Sequence, residues 1–284
     1  MRQYPATVLK DGTGQFKITD LDRPFPDYLL QRPTCLGGFL GDPATLSNLP
    51  CTRVQCDEIW SFVGAKQRNV PLALKGAFGI GDVWTWTALC ADTKLIAAWM
   101  VGRRDGDAAD TFVADLASRL RNRIQLTTDG NHLCLNAVED AFAGDVDYAM
   151  LVKVYGEGGQ TDHRRYSPSE FGCATKQRIN GEPELRDVST GYVERQNLTM
   201  RMSIRRFTRL TNAFSKKVEN HMHAVALHFM HYNFGRIHKT LRVTPAMEAG
   251  ISDHGWSLEE IAALTPETGN KPRGPYKKRA ELEG

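Results

Sequence analysis

Three strand-like apolar runs in close succession place the strongest constraint on how this chain folds. Residues 53–63 read as a first strand. Residues 82–90 and 95–101 are apolar runs that both contain tryptophan, and the short link 91–94 between them predicts a hairpin. The three runs therefore predict three successive strands.

Helix and strand patterns alternate after this hairpin. Residues 107–121 form an amphipathic pattern with Asp107 placed as the N-cap. The next three segments read as strand, helix and strand, at 123–129, 132–142 and 147–155. This order predicts an α/β fold, a mixed five-stranded sheet with helices on its faces. Two further helices are predicted at 190–210 and 214–233.

The segments outside this core, which we assign to residues 51–250, have a different character. Residues 1–50 contain several prolines that interrupt regular elements, so we expect a poorly ordered N-terminal arm. Residues 156–190 are polar and too long for an ordinary connection, which predicts an insertion loop that is either functional or mobile. Residues 251–284 read as a short helix and a basic tail.

Cysteine usage and hydropathy indicate a cytoplasmic protein. The six cysteines include no CxxC pair and follow no secretion signal, so we interpret them as reduced and mostly buried thiols. No apolar stretch approaches the roughly 20 residues that a membrane span requires. The net charge is only +3, which by itself is weak support for a nucleic-acid partner.

Three carboxylates occupy different structural settings and are candidates for chemistry. Asp57 lies within the first strand, where alternation places it on the face opposite Glu58. Asp129 ends a strand just before Gly130, and Glu194 begins a helix. Carboxylates that converge can hold two divalent cations, and two such cations can promote in-line attack at a phosphate.

A basic stretch follows Glu194 and has no acidic residue before Glu219. At about 100° per residue, a continuous helix would place Glu194 at the start of an arginine stripe, with the apolar side on the sheet. A solvated charged face is the alternative, but such faces usually mix signs. We therefore expect contact with nucleic-acid phosphates. The candidate residues of this stretch are Arg201, Arg205, Arg206, Arg209, Lys216 and Lys217.

The sequence blocks around the three carboxylates resemble the catalytic blocks of a known family. Residues 55–60, 127–130 and 192–201 look like those of the DDE transposases of the IS-one family of bacterial insertion sequences. Arg201, seven residues after Glu194, matches a basic residue of that family. Residues 232–245 are similar to the end of integrase-type catalytic cores, where Arg236 and His238 are candidates either for DNA contact or for a structural role.

The resemblance implies a ribonuclease H-like fold with a C-terminal helical extension and a two-metal site. Asp57, Asp129 and Glu194 would be the catalytic residues and would bind two Mg²⁺ or Mn²⁺ ions. The implied activity is nicking of transposon ends and joining of the freed 3′-hydroxyl to target DNA. The resemblance also implies that the partner is double-stranded DNA, that the protein forms a homo-oligomer on that DNA, and that it is located at the bacterial nucleoid.

The chain departs from the family in one respect, which keeps two alternatives open. Residues 1–50 show neither the zinc-binding nor the helix-turn-helix segment that usually recognises the inverted repeats. The first alternative is a truncated or inactive remnant that binds DNA without sequence preference. The second is a ribonuclease H-type nuclease that acts on RNA–DNA hybrids.

Several other residue groups receive structural interpretations. The aspartates at 105, 107 and 110 are read as helix capping and first-turn charge rather than a calcium loop. Four histidines between 221 and 231 are too widely spread around their helix to share one zinc ion, so we expect packing or DNA-facing roles. Trp84, Trp86 and Trp99 are read as core or sheet-face residues.

Overall fold

The fold is α/β, with a mixed sheet flanked by helices. The computed structural model describes residues 7–10, 16–19, 46–155, 171–208 and 212–264. Two short strands near the N-terminus, β1 (Thr7–Lys10) and β2 (Phe16–Thr19), pair with each other in an antiparallel hairpin. They lie within the segment predicted as a poorly ordered arm, most of which is outside the described residues.

The main sheet contains six strands rather than the five predicted. Its strands are β3 (Arg53–Val63), β4 (Gly81–Cys90), β5 (Ile96–Gly102), β6 (Ile124–Asp129), β7 (Val146–Tyr155) and β8 (Phe171–Asn180). They are arranged in the order β5-β4-β3-β6-β7-β8. Strands β3, β4 and β5 pair antiparallel, β6 lies parallel to both β3 and β7, and β8 is antiparallel to β7. The prediction of a mixed sheet is therefore confirmed.

The sixth strand, β8, occupies part of the segment 156–190 that was predicted as a loop. It pairs antiparallel with β7 along most of its length. Its side chains are largely exposed on both faces. It therefore lacks the alternation of apolar and polar residues by which a half-buried strand is recognised in a sequence. The prediction of a loop is therefore wrong for residues 171–180, while residues 156–170 lie outside the described part of the chain.

The helices largely match the predicted pattern, with one corrected cap. They are α1 (Gly106–Arg119), α2 (Leu133–Phe142), α3 (Gly191–Ser203), α4 (Val218–Met230), α5 (Pro245–Glu248) and α6 (Leu258–Ala263). The N-cap of α1 is Asp105, whose side chain accepts a hydrogen bond from the backbone N–H of Ala108. Asp107 lies in the first turn instead, where its charge is favourable near the helix N-terminus.

The predicted helix 190–210 is interrupted, and this breaks the arginine stripe. Helix α3 ends at Ser203, and Ile204 has an extended backbone with φ −111° and ψ 104°. A 3₁₀ turn, Arg205–Phe207, follows and places Phe207 in the core with 3% exposure. Burial of the Phe207 ring outweighs continuation of the helix, so the arginines after Ile204 do not share a helical face with Glu194.

The two faces of the sheet carry different helices. Gln55 and Ser61 lie on one face of β3, where Gln55 contacts α3 and Ser61 contacts His221 of α4. On the other face, Glu58 contacts Asn131 beside α2, and Trp86 packs on Phe112 of α1. Alternation along the strands therefore places α3 and α4 on one side of the sheet and α1 and α2 on the other.

The core begins before the predicted boundary at residue 51. Leu46 is 2% exposed and Leu49 is 1% exposed, and both belong to the main hydrophobic cluster. Leu49 forms an isolated bridge with Leu120 at the end of α1. The end of the expected arm is thus part of the folded core, since these leucines cover apolar surface that would otherwise face water.

The structural interpretations of the tryptophans and cysteines agree with the burial pattern. Trp86 and Trp99 are buried, while Trp84 is partly exposed. Four cysteines are free and buried, namely Cys51, Cys56, Cys90 and Cys134, and Cys173 is free and exposed. The expectation that most of the thiols are buried is therefore met within the described residues.

Asn233 closes the edge of the sheet at β5. It lies in a π-helical turn, His231–Gly235, that continues α4. Its side-chain Nδ2 donates to the carbonyl of Ile96 at 3.0 Å, and its Oδ1 accepts from the Ile96 N–H at 3.0 Å. Asn233 is fully buried, so this one amide satisfies both backbone groups of an edge residue that water cannot reach.

We predict that Asn233→Ala destabilises the protein by about 2–4 kcal/mol, because two buried backbone groups lose their partner. The free energy of unfolding in urea measures this change. Asn220→Ala is the matched control, since Asn220 is exposed on α4, and it should change stability by less than about 0.5 kcal/mol. Equal effects of the two substitutions would contradict the role of Asn233.

His221 has the packing role expected for it. Its side chain is fully buried in α4 and lies 3.1 Å from Ser61 Oγ and 3.0 Å from Ser215 Oγ. Burial, together with the charge of Arg206, lowers the pKa of His221 from its ordinary 6.5 to about 4. The imidazole is therefore neutral in the folded protein at pH 7.

We predict that His221 lowers the free energy of unfolding in acid. As the pH falls from about 6.5 towards 4, the unfolded chain takes up a proton that folded His221 does not, so unfolding becomes easier. The effect is on the order of 3 kcal/mol in total. His221→Gln should remove this part of the pH dependence in urea titrations between pH 4 and 7. His223→Gln, at an exposed position of the same helix, should retain it.

Candidate metal centre

The candidate site forms where two parallel strands separate. Pairing between β3 and β6 ends at Cys56 and Thr128. The next residues along each strand are Asp57 and Asp129. Beyond this point β3 is paired with β4 alone. Side chains near the separation therefore face a cleft instead of packing beside a neighbouring strand.

Three carboxylates meet at this opening. Among the described residues, Asp57, Glu58 and Asp129 each offer a carboxylate oxygen, and these oxygens lie within 4.8 Å of one another. Strand alternation led us to expect Glu58 on the face away from Asp57. The separation of β3 from β6 allows both carboxylates to reach the same opening, so Glu58 belongs to the site although it was not a predicted ligand. We call these three residues the acid cluster.

The carboxylate of Asp57 accepts two hydrogen bonds. Its Oδ1 accepts from the backbone N–H of Glu58 at 2.9 Å, and its Oδ2 accepts from Asn197 Nδ2 at 2.8 Å. Burial, together with the charges of Asp129 and Glu58, raises the pKa of Asp57 to about 7. Asn197 lies three residues after Glu194 on α3, and the sequence alone did not single it out.

Glu58 and Asp129 share a second asparagine. The Glu58 side chain, 4% exposed, accepts from Asn131 Nδ2 at 3.0 Å and forms an ion pair with Arg104 Nε at 3.4 Å. Burial raises the pKa of Glu58, and the charge of Asp129 adds to the effect. Asp129 Oδ1 accepts from the backbone N–H of Asn131 at 3.0 Å. Asn131 therefore fixes the orientation of two of the three acids.

Glu194 lines the same cleft but lies outside the acid cluster. Its carboxylate forms an ion pair with Lys153 of β7 and accepts a hydrogen bond from Thr190 Oγ1. Its charge nevertheless contributes to the raised pKa of Asp57. The structure thus brings all three predicted acids to one cleft of about 620 Å³, with Glu58 rather than Glu194 in close contact with the two aspartates.

A long-range cap holds helix α3 over the cleft. The side-chain Oε1 of Gln55 accepts from the backbone N–H groups of Tyr192 at 2.9 Å and Val193 at 3.2 Å. These donors belong to the first turn of α3, whose N-cap residue makes no side-chain cap of its own. Because Gln55 precedes Asp57 by two residues on the same strand face, it fixes α3 directly beside Asp57.

The charges of the cleft favour the binding of divalent cations. Four acids, Asp57, Glu58, Asp129 and Glu194, face two cations, Arg104 and Lys153. With all groups ionised, the difference of four and two leaves a charge of −2. Carboxylate oxygens are the donors that hard divalent cations prefer, and burial together with the neighbouring acids raises the pKa values of Asp57 and Glu58. The donor set therefore fits Mg²⁺, Mn²⁺ or Ca²⁺.

The basic residues predicted to bind nucleic acid are spread over several elements. Arg201 lies on α3, and Arg205 and Arg206 lie in the following 3₁₀ turn, while Arg209 is outside the described residues. Arg206 Nη1 donates to Ser215 Oγ at 2.9 Å, which gives it a structural contact. The single arginine stripe predicted from the sequence is therefore corrected to separate basic positions.

The remaining predicted contacts divide into exposed and partly buried side chains. Lys216 and Lys217 are exposed just before α4, with Lys216 Nζ 3.6 Å from the centre of the Phe214 ring. Arg236 is exposed after the π-helical turn. His238 is partly buried, and burial lowers its pKa, to which Lys94 and Arg236 contribute. This environment favours a structural role for His238.

Neither a protein-family model nor a curated protein matches this chain. Within the described residues, no helix is both long enough and apolar enough to cross a membrane. The chemistry open to the site follows from its donor atoms and charges. The acid cluster can bind a hard cation, and the two basic side chains beside it can contact an anionic ligand.

We predict that Asp57→Asn and Asp129→Asn each weaken Mn²⁺ or Ca²⁺ binding by at least about 100-fold, because each removes a charged ligand. Mutation of a residue that only supports a ligand already lowers metal affinity by about 10–100-fold. Isothermal titration calorimetry measures the affinity. Asp140→Asn, at an exposed position of α2, is the charge-matched control and should bind the metal normally. Unchanged affinity in both aspartate variants would exclude a metal site at the acid cluster.

Proposed function

We propose that this protein is a DNA transposase with a ribonuclease H-like catalytic core and a metal-dependent polynucleotidyl transfer activity. It would nick the ends of an insertion sequence and join the freed 3′-hydroxyl to target DNA. The observation that carries this proposal is the convergence of Asp57, Asp129 and Glu194 on one cleft. These acids come from three sequence blocks that resemble one family.

The arrangement of the sheet supports the proposed core. Three antiparallel strands are followed by two parallel ones, and the first and fourth strands in this series, β3 and β6, carry the two aspartates at their separation. Helix α3 contributes Glu194 from above one sheet face. Strand, strand and helix are the settings expected for the three acids from the sequence.

The acid cluster and Glu194 would together hold two Mg²⁺ or Mn²⁺ ions. One ion would activate the attacking water or hydroxyl, and the other would stabilise the leaving oxygen. The chain's own residues prepare this site in three ways. Asn131 and Asn197 orient the carboxylates, Gln55 fixes the helix that bears Glu194, and burial strengthens each electrostatic contact.

Double-stranded DNA is the proposed partner. Exposed basic residues on several elements, including Arg205, Lys216, Lys217 and Arg236, would contact the phosphate backbone without reading sequence. As the resemblance implies, the active form would be a homo-oligomer assembled on DNA. Binding through these residues should weaken as salt concentration rises, because counterions are released from the DNA.

We predict that the protein nicks duplex DNA with Mg²⁺ or Mn²⁺ and not with EDTA. Asp57→Ala, Asp129→Ala and Glu194→Ala should each lower the rate by about a thousandfold, because losing a ligand costs several kcal/mol of transition-state stabilisation. A gel assay with labelled transposon-end and random duplexes measures nicking and strand transfer. Asp140→Ala should retain the full rate.

The same assay separates the alternatives. A remnant that only binds DNA would show salt-sensitive affinity and no metal-dependent cleavage. A ribonuclease H-type nuclease would cleave the RNA strand of a hybrid in preference to duplex DNA. Full activity of the Asp57→Ala or Glu194→Ala variant would refute the assignment of these acids.

A further inference from the structure

Two basic side chains flank the acid cluster along the strand order of the sheet, one towards β5 and the other towards β7. Arg104 follows β5 on one side, and Lys153 lies on β7 on the other, while the cluster occupies β3 and β6 between them. Both side chains line the cleft. A strand of nucleic acid laid over the cluster would therefore pass one cation before the metal site and one after it.

Arg104 is positioned at the cleft by two contacts. Its Nε lies 3.4 Å from Glu58 Oε2, and its guanidinium carbon lies 5.0 Å from the centre of the Trp84 ring. The Arg104 side chain is 39% exposed and lines the cleft. A planar guanidinium held in this way matches the geometry of phosphate oxygens.

Lys153 is the corresponding cation on the other side. It forms an ion pair with Glu194, and its side chain is 22% exposed. Its partner, like Glu58, is a residue expected to hold the metal. Each cation is thus paired with an acid that would turn its oxygens to a bound metal ion.

We propose that Arg104 and Lys153 bind the sugar–phosphate backbone on either side of the metal site. This inference rests on the proposed function and names the side chains that receive its substrate. Both ion pairs are partly shielded from water, so without a metal ion the two cations counter the charge of the acids. When the acids bind a metal ion, the cations exchange a carboxylate partner for a phosphate.

The first test measures DNA affinity at saturating Ca²⁺, which takes oxygen ligands as Mg²⁺ does. Fluorescence anisotropy with a labelled duplex should show about tenfold weaker binding for Arg104→Gln and for Lys153→Gln. Each variant should also reduce the slope of log affinity against log salt by about 0.9, the value for one lost phosphate contact. Arg104→Lys and Lys153→Arg keep the charge and should largely retain the slope.

The second test measures Ca²⁺ affinity without DNA by calorimetry. Removing either cation frees its acid partner and lowers the positive charge near the metal, so Arg104→Gln and Lys153→Gln should bind Ca²⁺ more tightly. If these residues only positioned the acids, the same variants would bind Ca²⁺ more weakly. Opposite changes in metal and DNA affinity therefore distinguish phosphate binding from a structural role, and circular dichroism confirms that the variants fold.

Arg121→Gln is the matched control, because Arg121 is exposed at the opposite end of β6 from Asp129. It should leave DNA affinity and the salt slope close to those of the unmodified protein. Unchanged slopes in Arg104→Gln and Lys153→Gln, with metal-dependent nicking intact in the unmodified protein, would overturn this inference alone. Absence of both metal binding and nicking in the unmodified protein would overturn the proposed function with it.

Discussion

The mutual repulsion of buried carboxylates is the constraint on which this site depends. Asp57, Glu58 and Asp129 are held with oxygens within 4.8 Å of one another, in surroundings that raise the pKa of Asp57 to about 7. An arrangement of like charges is unfavourable unless hydrogen bonds and counter-charges hold it. The surrounding side chains supply that support, and a divalent cation would supply the charge that they leave unbalanced.

The support reaches the acids from three elements that are distant in sequence. Asn131 holds Glu58 and Asp129 from the start of α2, and Asn197 holds Asp57 from α3. Gln55 in turn attaches the first turn of α3 to the strand that bears Asp57. The site is therefore a property of the folded sheet and its helices together, because no short segment contains both the acids and the groups that orient them.

The sequence predicted the buried strands well because burial leaves a pattern. It missed β8, whose exposed faces have no apolar alternation, and it extended helix 190–210 past Ile204, where burial of Phe207 decides the backbone. Asp57, Asp129 and Glu194 were singled out by their strand and helix settings and by the resemblance of their sequence blocks, and they do reach one cleft. Glu58 was missed because alternation places it on the face opposite Asp57, and the two carboxylates come together only where the pairing of β3 with β6 stops, one residue before Asp57.

The placement of Glu194 follows from the same charge balance. A fourth carboxylate within the acid cluster would add to a repulsion that already raises the pKa of Asp57 and Glu58. Pairing with Lys153 keeps Glu194 in the cleft while neutralising its charge. A divalent cation bound at the acid cluster would reverse this preference. The carboxylate of Glu194 would then be attracted by the cation, whereas without it the carboxylate is repelled by the other acids. Under the proposed function, Glu194 would therefore exchange Lys153 for a metal ion when one binds.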